Sequence, residues 1–568
     1  MDWPLAGSAR RVDTSSTLIA GLIGGAFFLY LAGLRFVDPT SIGWIMKLDW
    51  ATHYFGWTYF RLEPWQWPPG TVHGYNAPIG TAVGLTDSLP LMAYLLKPFA
   101  AWLPDDFQYL GAWEWLCFVL QGALGARLAG RFSPHLLPRL LVAVLFLLLP
   151  MLLWRVAHAA LMSHWLLLWC LLLATRALET RFRWPEWAAM GLLAGMIQPY
   201  LAAMAAALLG AIALAPRAGP YVVRGVALGA AAMAMIAGWW LSGMFNLGGA
   251  DGLSAGGLGI FSTNLLGPIS PYGWSRLMPE WPAAGHGQLL EGTHYYGAGV
   301  LLLITVAVIW TVAARRAGRA AALPAVFPWT IPVMSVALAA VALSPRVTLG
   351  SHVVVDLTGP WAAPLSLFRS TGRFLWPLTY VLLTWTCAVL LRRATPHVAS
   401  AVLLAVIGVQ LYDLTDFLAD RRATAHSQAF HAWSNPFVSS RWPVIARHYR
   451  HLVLAPPPQC GPSSIGSEPA LWFGTRHGLT VNTGTLSRGS EVARARYCRR
   501  LLEDLGAGRL EPSSMYLMTE AQHTGLAADA ADVSCGRLDG LILCSTTASA
   551  PSWLRYAEAI TPALSARR

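Results

Sequence analysis

Charged side chains are scarce in this sequence. Asp, Glu, Lys and Arg make up 12% of the 568 residues while 55% are hydrophobic, a balance that excludes a soluble globule, because far more apolar surface is present than one core can bury. Lysine is nearly missing, with Lys47 and Lys97 its only occurrences, so arginine carries the net charge of +12. That preference reads as the coding bias of a GC-rich bacterial genome and is given no functional weight. The arginines sit in short clusters between apolar runs and do not form one basic face, which argues against nucleic acid as a partner. The first apolar run, residues 16–36, follows Arg10 and Arg11 and lacks a small-x-small cleavage site, so it is expected to stay as an anchor with the N-terminus inside.

Apolar stretches of the length that crosses a bilayer recur up to residue 413 and then stop. After 16–36 they fall near 107–127, 138–154, 159–177, 187–199, 200–215, 222–244, 296–314, 325–344, 373–391 and 397–413. The alternate connections hold Arg127, Arg131 and Arg139, then Arg176, Arg181 and Arg183, then Arg217 and Arg224, then Arg315, Arg316 and Arg319, and finally Arg392 and Arg393. Short cytoplasmic loops are enriched in positive charge, and this phase is kept throughout. The expected fold is therefore a mainly α polytopic membrane protein of about eleven transmembrane helices, N-terminus inside, with a small periplasmic α/β C-terminal domain. The domains are residues 1–413, with large outer loops at 37–106, 245–295 and 345–372, and residues 414–568. The expected location is the bacterial inner membrane, multi-pass, with the C-terminal domain in the periplasm.

Three details refine that reading. The run 187–215 is interrupted at Gln198-Pro199-Tyr200, which predicts two half-spans whose freed backbone groups are shielded by protein. The segment 87–104 has helical apolar spacing but is short and carries Lys97, so it is expected to be an interfacial helix. Past residue 412, 451–456, 479–483, 515–519 and 538–544 read as strands and 487–505 as a helix. Cys117, Cys170 and Cys387 lie in apolar runs, whereas Cys460, Cys498, Cys535 and Cys544 share the polar C-terminal region, which predicts two disulfides in an oxidising compartment. Cys535 with Cys544 would close a hairpin and Cys460 would reach the helix of Cys498, although spacing alone leaves the pairing open.

The chemistry-bearing residues gather in three clusters. In 47–70, Asp49 and His53 are four apart and share a helical face, and a carboxylate beside Lys47 is a candidate general base. In 154–165, Arg155, His158 and His164 stand at a span end, where ionisable groups face a cavity or a partner, although Arg155 can also snorkel to lipid phosphate. In 366–377, Arg369 and Arg373 are four apart, a spacing that on a helix makes a fork for phosphate or anchors a lipid headgroup. Glu291 and Asp87 are further outer acids, and Asp105 and Asp106 are expected to cap a helix beginning at Phe107.

The motifs D-x-x-x-H-x-x-G-W at Asp49 to Trp57, YFRLEPW at 59–65, DSLPL at 87–91, FQYLG at 107–111 and FRSTGRF at 368–374 resemble those of a bacterial branch of the GT-C superfamily of polyprenyl-phosphate-sugar-dependent membrane glycosyltransferases. The resemblance covers most of residues 40–380. It implies inverting transfer of a sugar from a polyprenyl-phosphate carrier to a periplasmic or lipid-linked glycan acceptor, with Asp49 the catalytic base. Arg155, Arg369 and Arg373 would then bind the donor phosphate, and His53, Arg61, Asp87, His158 and Glu291 the sugar or acceptor. No cofactor is expected: Ala51 stands where a D-x-D or E-x-D would place its second acid, which argues against a divalent metal. The implied partners are membrane lipid, the polyprenyl-linked donor and the acceptor. A polysaccharide or lipid transporter or flippase is the rival reading, and it lacks the repeated halves and mid-membrane charge of carriers. A non-catalytic envelope assembly protein is the third.

Overall fold

The computed structural model describes residues 7–178, 182–216, 219–246, 257–317, 325–526, 532–549 and 558–560. Arg181, Arg217 and Arg319 of the charge pattern lie outside the described residues. The chain separates into two compact units, one taking the described residues of 1–41, 109–238 and 254–430, the other those of 42–108, 239–253 and 431–568.

The first unit is helical. An apolar helix lies on each stretch that the sequence marks, among them Gly7–Ala32, Leu110–Ala129, Trp184–Ile197, Pro199–Ala213, Tyr221–Leu241 and Ala298–Arg316. Six of the helical segments are long and apolar enough to cross a membrane: Val12–Ala32, Ala159–Ala177, Tyr221–Leu241, Ala298–Arg316, Thr371–Arg393 and Pro396–Asp413. Leu136–Leu147, Pro199–Ala213 and Thr330–Leu343 are apolar but shorter. Leu22, Val226, Met233, Ile309 and Leu404 remain exposed on these helices, which is unfavourable in water and suits contact with lipid. Gly24 and Gly122 lie where the first helix crosses Leu110–Ala129, and a Cβ on either would strike a backbone carbonyl of the other helix, so small residues set how closely the two backbones approach.

Prolines decide where helices break. The expected span 138–154 divides into Leu136–Leu147 and Pro150–Leu153, because Pro150 has no N–H to give and its ring blocks the turn before it. At the predicted interruption, Gln198 is extended and its side-chain oxygen accepts from the Tyr200 N–H at 2.5 Å. Gln198 and Tyr200 are both buried, so the freed groups are shielded as expected. One continuous kinked helix is excluded by the extended residue between the two.

The second unit is built on a six-stranded sheet in the order Glu558–Ile560, Val533–Leu538, Leu541–Thr546, Ser514–Met518, His451–Ala455, Thr480–Val481. His451–Ala455 runs parallel to both of its neighbours, and the remaining pairs are antiparallel. The helix Glu491–Gly506 falls where the sequence predicts one. The single strand expected over 538–544 is instead part of a hairpin that turns at Asp539-Gly540, both with positive φ. Asp-Gly is a tight-turn dipeptide, and the correction follows from reading an apolar run across it.

The long first loop folds with this sheet. Val481 donates to the Gly74 carbonyl and Ala77 donates to the Val481 carbonyl, both at 2.8 Å, while the Asn76 N–H reaches the Thr483 carbonyl at 3.1 Å. The backbone of 74–77 therefore covers the edge strand Thr480–Val481, leaving fewer open pairing groups there. Asp105 and Asp106 do not cap the next helix, which begins at Leu110. They form ion pairs with Arg476 of the helix Ser467–His477 instead. At the other limit, the helix Thr415–His426, assigned by the sequence to the C-terminal domain, belongs to the first unit, where Arg422 Nε donates to the Tyr30 carbonyl at 3.2 Å. The segment 87–104 is helical over Pro90–Leu96 and Lys97–Trp102.

Two cystines close the second unit, Cys460–Cys498 and Cys535–Cys544, while Cys117, Cys170 and Cys387 are free and buried. Denatured without reductant, the chain should alkylate at three cysteines, and at all seven once reduced; mass spectrometry finding more than three before reduction would contradict the pairing. The 38-residue separation of Cys460 and Cys498 makes that bridge worth about 3–4 kcal/mol by loop entropy, so Cys460→Ser should lower the denaturant midpoint of this unit.

Candidate anion-binding site

In the first unit, three side chains from distant parts of the chain meet at one carboxylate oxygen. Arg155 comes from the turn after Pro150–Leu153, Glu291 ends the short helix His286–Leu290, and Arg373 sits in the 3-10 turn Thr371–Leu375. Arg155 Nη1 donates to Glu291 Oε2 at 2.9 Å, and Arg373 Nε and Nη2 donate to the same oxygen at 3.0 and 2.8 Å. Both arginines are buried, and the Glu291 side chain keeps 22% of its surface. Two guanidinium groups against one carboxylate leave a positive excess, and a buried excess charge is costly unless an anion completes it.

Neighbouring groups do not supply that anion. Burial alone would raise the Glu291 carboxyl, but Arg155, Arg373 and His158 more than offset this and hold it well below the usual carboxylate range. It is a fixed counter-ion, not a proton donor. His294 is brought down to about 4, chiefly by burial, and Arg155 and Arg373 oppose its protonation further. Its Nδ1 lies 2.6 Å from the Gly292 carbonyl and 3.2 Å from Thr263 Oγ1. The predicted helix break builds one wall: Tyr200 lies under the Arg373 guanidinium at 4.7 Å, and its hydroxyl accepts the Ser370 N–H at 2.8 Å. Ala157, between Arg155 and His158, has φ 76 and donates its N–H to Glu114 at 2.9 Å; an alanine held in the left-handed region is strained, a state that persists only where its surroundings enforce it.

Other sequence candidates fall differently. Arg369 is exposed and packs over Phe261 at 4.6 Å. The expected fork with Arg373 does not form, because the 3-10 turn starts only at Thr371 and a four-residue spacing shares a face only within one helix. In the second unit Asp49 and His53 do lie on one helix, Leu48–Leu62. Asp49 is exposed, however, whereas His53 is buried and brought down to about 4 by desolvation despite Asp49 one turn away. Arg61 is buried and donates through Nη2 to the Pro104 carbonyl at 2.9 Å. Asp87 is half-buried in the left-handed region at φ 52. Gly56 of the first motif is fixed by packing, since a Cβ there would strike the Thr86 and Ser88 hydroxyls. Lys97 is buried, donates to the Phe60 carbonyl at 2.5 Å and lies over the Phe60 and Trp65 rings.

Sequence reasoning missed two features. Arg421, on the helix Thr415–His426, stacks over Trp154 at 4.1 Å beside the cluster; the pair Arg421-Arg422 just after the last apolar run was its only signal. A cavity of about 640 Å³ opens beside His286–Leu290, with Gln288, Arg346, Thr348 and Thr358 on its wall. Gln288 Nε2 donates to Thr348 Oγ1 at 2.8 Å, which gives the cavity a polar floor.

Glu291→Gln removes the shared counter-charge and should destabilise the protein by about 3 kcal/mol, read as a lower Tm in detergent micelles; an unchanged Tm would show that the arginines need no partner. His294 binds its proton more weakly folded than unfolded, so between pH 6.5 and about 4 the unfolded chain holds more protons. Stability should therefore fall as the pH drops through that window, and His294→Gln should flatten the slope in thermal scans.

Two family models match the sequence: Domain of unknown function (DUF6311) over residues 21–415, and the DUF6311 C-terminal domain over residues 441–546. Neither a curated protein nor a solved structure gives a match. The first model spans most of the helical unit and the long loop, the second the sheet and its two cystines, and the chain accordingly belongs to the DUF6311 family.

Proposed function

We propose that this protein is an inverting membrane glycosyltransferase that takes a sugar from a polyprenyl-phosphate carrier. One observation carries the reading: the guanidinium groups of Arg155 and Arg373, buried and sharing a single carboxylate oxygen, form a positively charged pocket in a chain with membrane-crossing helices. Such preorganised donors favour the charge that builds on a departing phosphate. In the reaction an acceptor hydroxyl attacks the anomeric carbon and the bond from that carbon to the phosphate oxygen breaks. Polyprenyl phosphate leaves with the electron pair, and Asp49 takes the hydroxyl proton. Glu291 keeps the two arginines in register, Arg369 stands exposed on the approach, and the polar cavity beside Gln288 suits the hydroxyl groups of a sugar acceptor.

The topology that goes with this reading has eleven spans, the N-terminus inside and the C-terminal domain in the periplasm. It is supported by arginines at the ends of alternate helices, Arg127, Arg176, Arg315 and Arg392 among them, and by two cystines in the C-terminal region. In a host lacking the gene, complementation with Asp49→Asn should lower glycan production at least about 100-fold, and Arg373→Ala should lower it comparably, with protein levels retained on immunoblots. Full glycan production by both variants would overturn the assignment and leave transport or assembly.

A further inference from the structure

Arg421 is a cation without a counter-ion among the described residues. Its guanidinium lies 4.1 Å from the Trp154 ring and 5.4 Å from Phe417, and Trp154 is held in turn by Trp274, at 5.0 Å between ring centroids. The indole N–H of Trp154 donates to the Leu290 carbonyl at 2.8 Å, so the platform under Arg421 is tied to the residue immediately before Glu291. Arg421 Nε is buried with no hydrogen-bond partner among the described residues. Burial, outweighing the adjacent Asp420, and repulsion from Arg155 bring the group down to about 10. Tyr272, which packs on the same aromatic group at φ 54, is a second left-handed non-glycine beside the cluster.

Charge bookkeeping gives this arginine a role. Arg155 and Arg373 against Glu291 leave one positive charge, and Arg421 makes it two. A sugar joined to a polyprenyl phosphate is a phosphodiester with one negative charge. The phosphate that departs is a monoester, which carries close to two near neutral pH. The three-arginine arrangement thus matches the leaving group better than the bound donor, and binding the later state more tightly accelerates the chemical step. We propose that Arg421 is the third cation of this site and holds the second negative charge of a lipid-linked phosphate monoester. This rests on the donor reading given above.

The test uses the purified full-length chain in detergent and four probes: polyprenyl monophosphate, its methyl phosphodiester, the uncharged polyprenol, and phosphatidic acid. The wild-type chain should bind the monophosphate at least about tenfold more tightly than the methyl diester, a difference of about 1.4 kcal/mol. Arg421→Gln should abolish that preference while changing the diester affinity by less than about twofold, and Arg421→Lys, which keeps the charge, should retain most of it. An undiminished preference in Arg421→Gln overturns the proposal, as does an equal weakening of both phosphates in Arg421→Gln and Arg421→Lys, which would mark Arg421 as a packing residue. Phosphatidic acid binding as tightly as polyprenyl monophosphate, or Arg155→Ala and Arg373→Ala binding both phosphates unchanged, overturns the donor reading itself.

Discussion

The first unit is organised around a single carboxylate oxygen. Glu291 Oε2 accepts from both Arg155 and Arg373, and each of the three residues comes from a different connection between apolar helices. Charges buried this deeply are tolerated only when paired and hydrogen-bonded, so the connections after Pro150–Leu153, after His286–Leu290 and before Trp376–Arg393 are held where their charges require. The Tyr200 ring under Arg373 ties the helix break at Pro199 to the same point. One carboxylate cannot neutralise two guanidinium groups, let alone a third from Arg421. The pairing that holds the fold together also leaves an unmet demand for negative charge.

The second unit meets a different constraint. A sheet edge left open is a template for unwanted pairing, and here the first loop covers the edge strand Thr480–Val481 through its own backbone at Gly74 to Ala77. The ion pairs of Asp105 and Asp106 with Arg476 reinforce that attachment from a second place. The first loop and the C-terminal strands, far apart in sequence, thus form one folding body. Four of the motifs that prompted the GT-C resemblance, up to Phe107 and Gln108, lie within it. Several of them work as packing: Trp57 donates to the Phe107 carbonyl at 3.2 Å, and Arg61 to that of Pro104 at 2.9 Å. The fifth, FRSTGRF, supplies Arg373 to the other unit.

The residues that were legible in advance were those whose signal is local. Apolar length placed the helices, the Gln198-Pro199 break was visible in two letters, and four cysteines in one polar region were enough to expect two cystines. Local reading failed where an interaction spans the chain. Arg369 and Arg373 looked like a fork only on the assumption of a continuous helix, and Asp105 and Asp106 looked like caps because Arg476 is some 370 positions away. Glu291 read as one weak acid among several, since nothing beside it in sequence hints at two arginines.

The sequence by itself determined that this chain is rich in membrane-length helices, where its prolines interrupt them, and that its C-terminal region is a disulfide-bonded α/β fold. Hydrophobic length, missing N–H groups and cysteine grouping are all properties of neighbouring residues. Only the tertiary structure decided which charges meet: it chose Glu291 as the shared partner, set Arg369 apart from Arg373, and brought Arg421 up to Trp154. The energy of a buried charge depends on what surrounds it in space, and those surroundings are assembled from segments that the linear order keeps far apart.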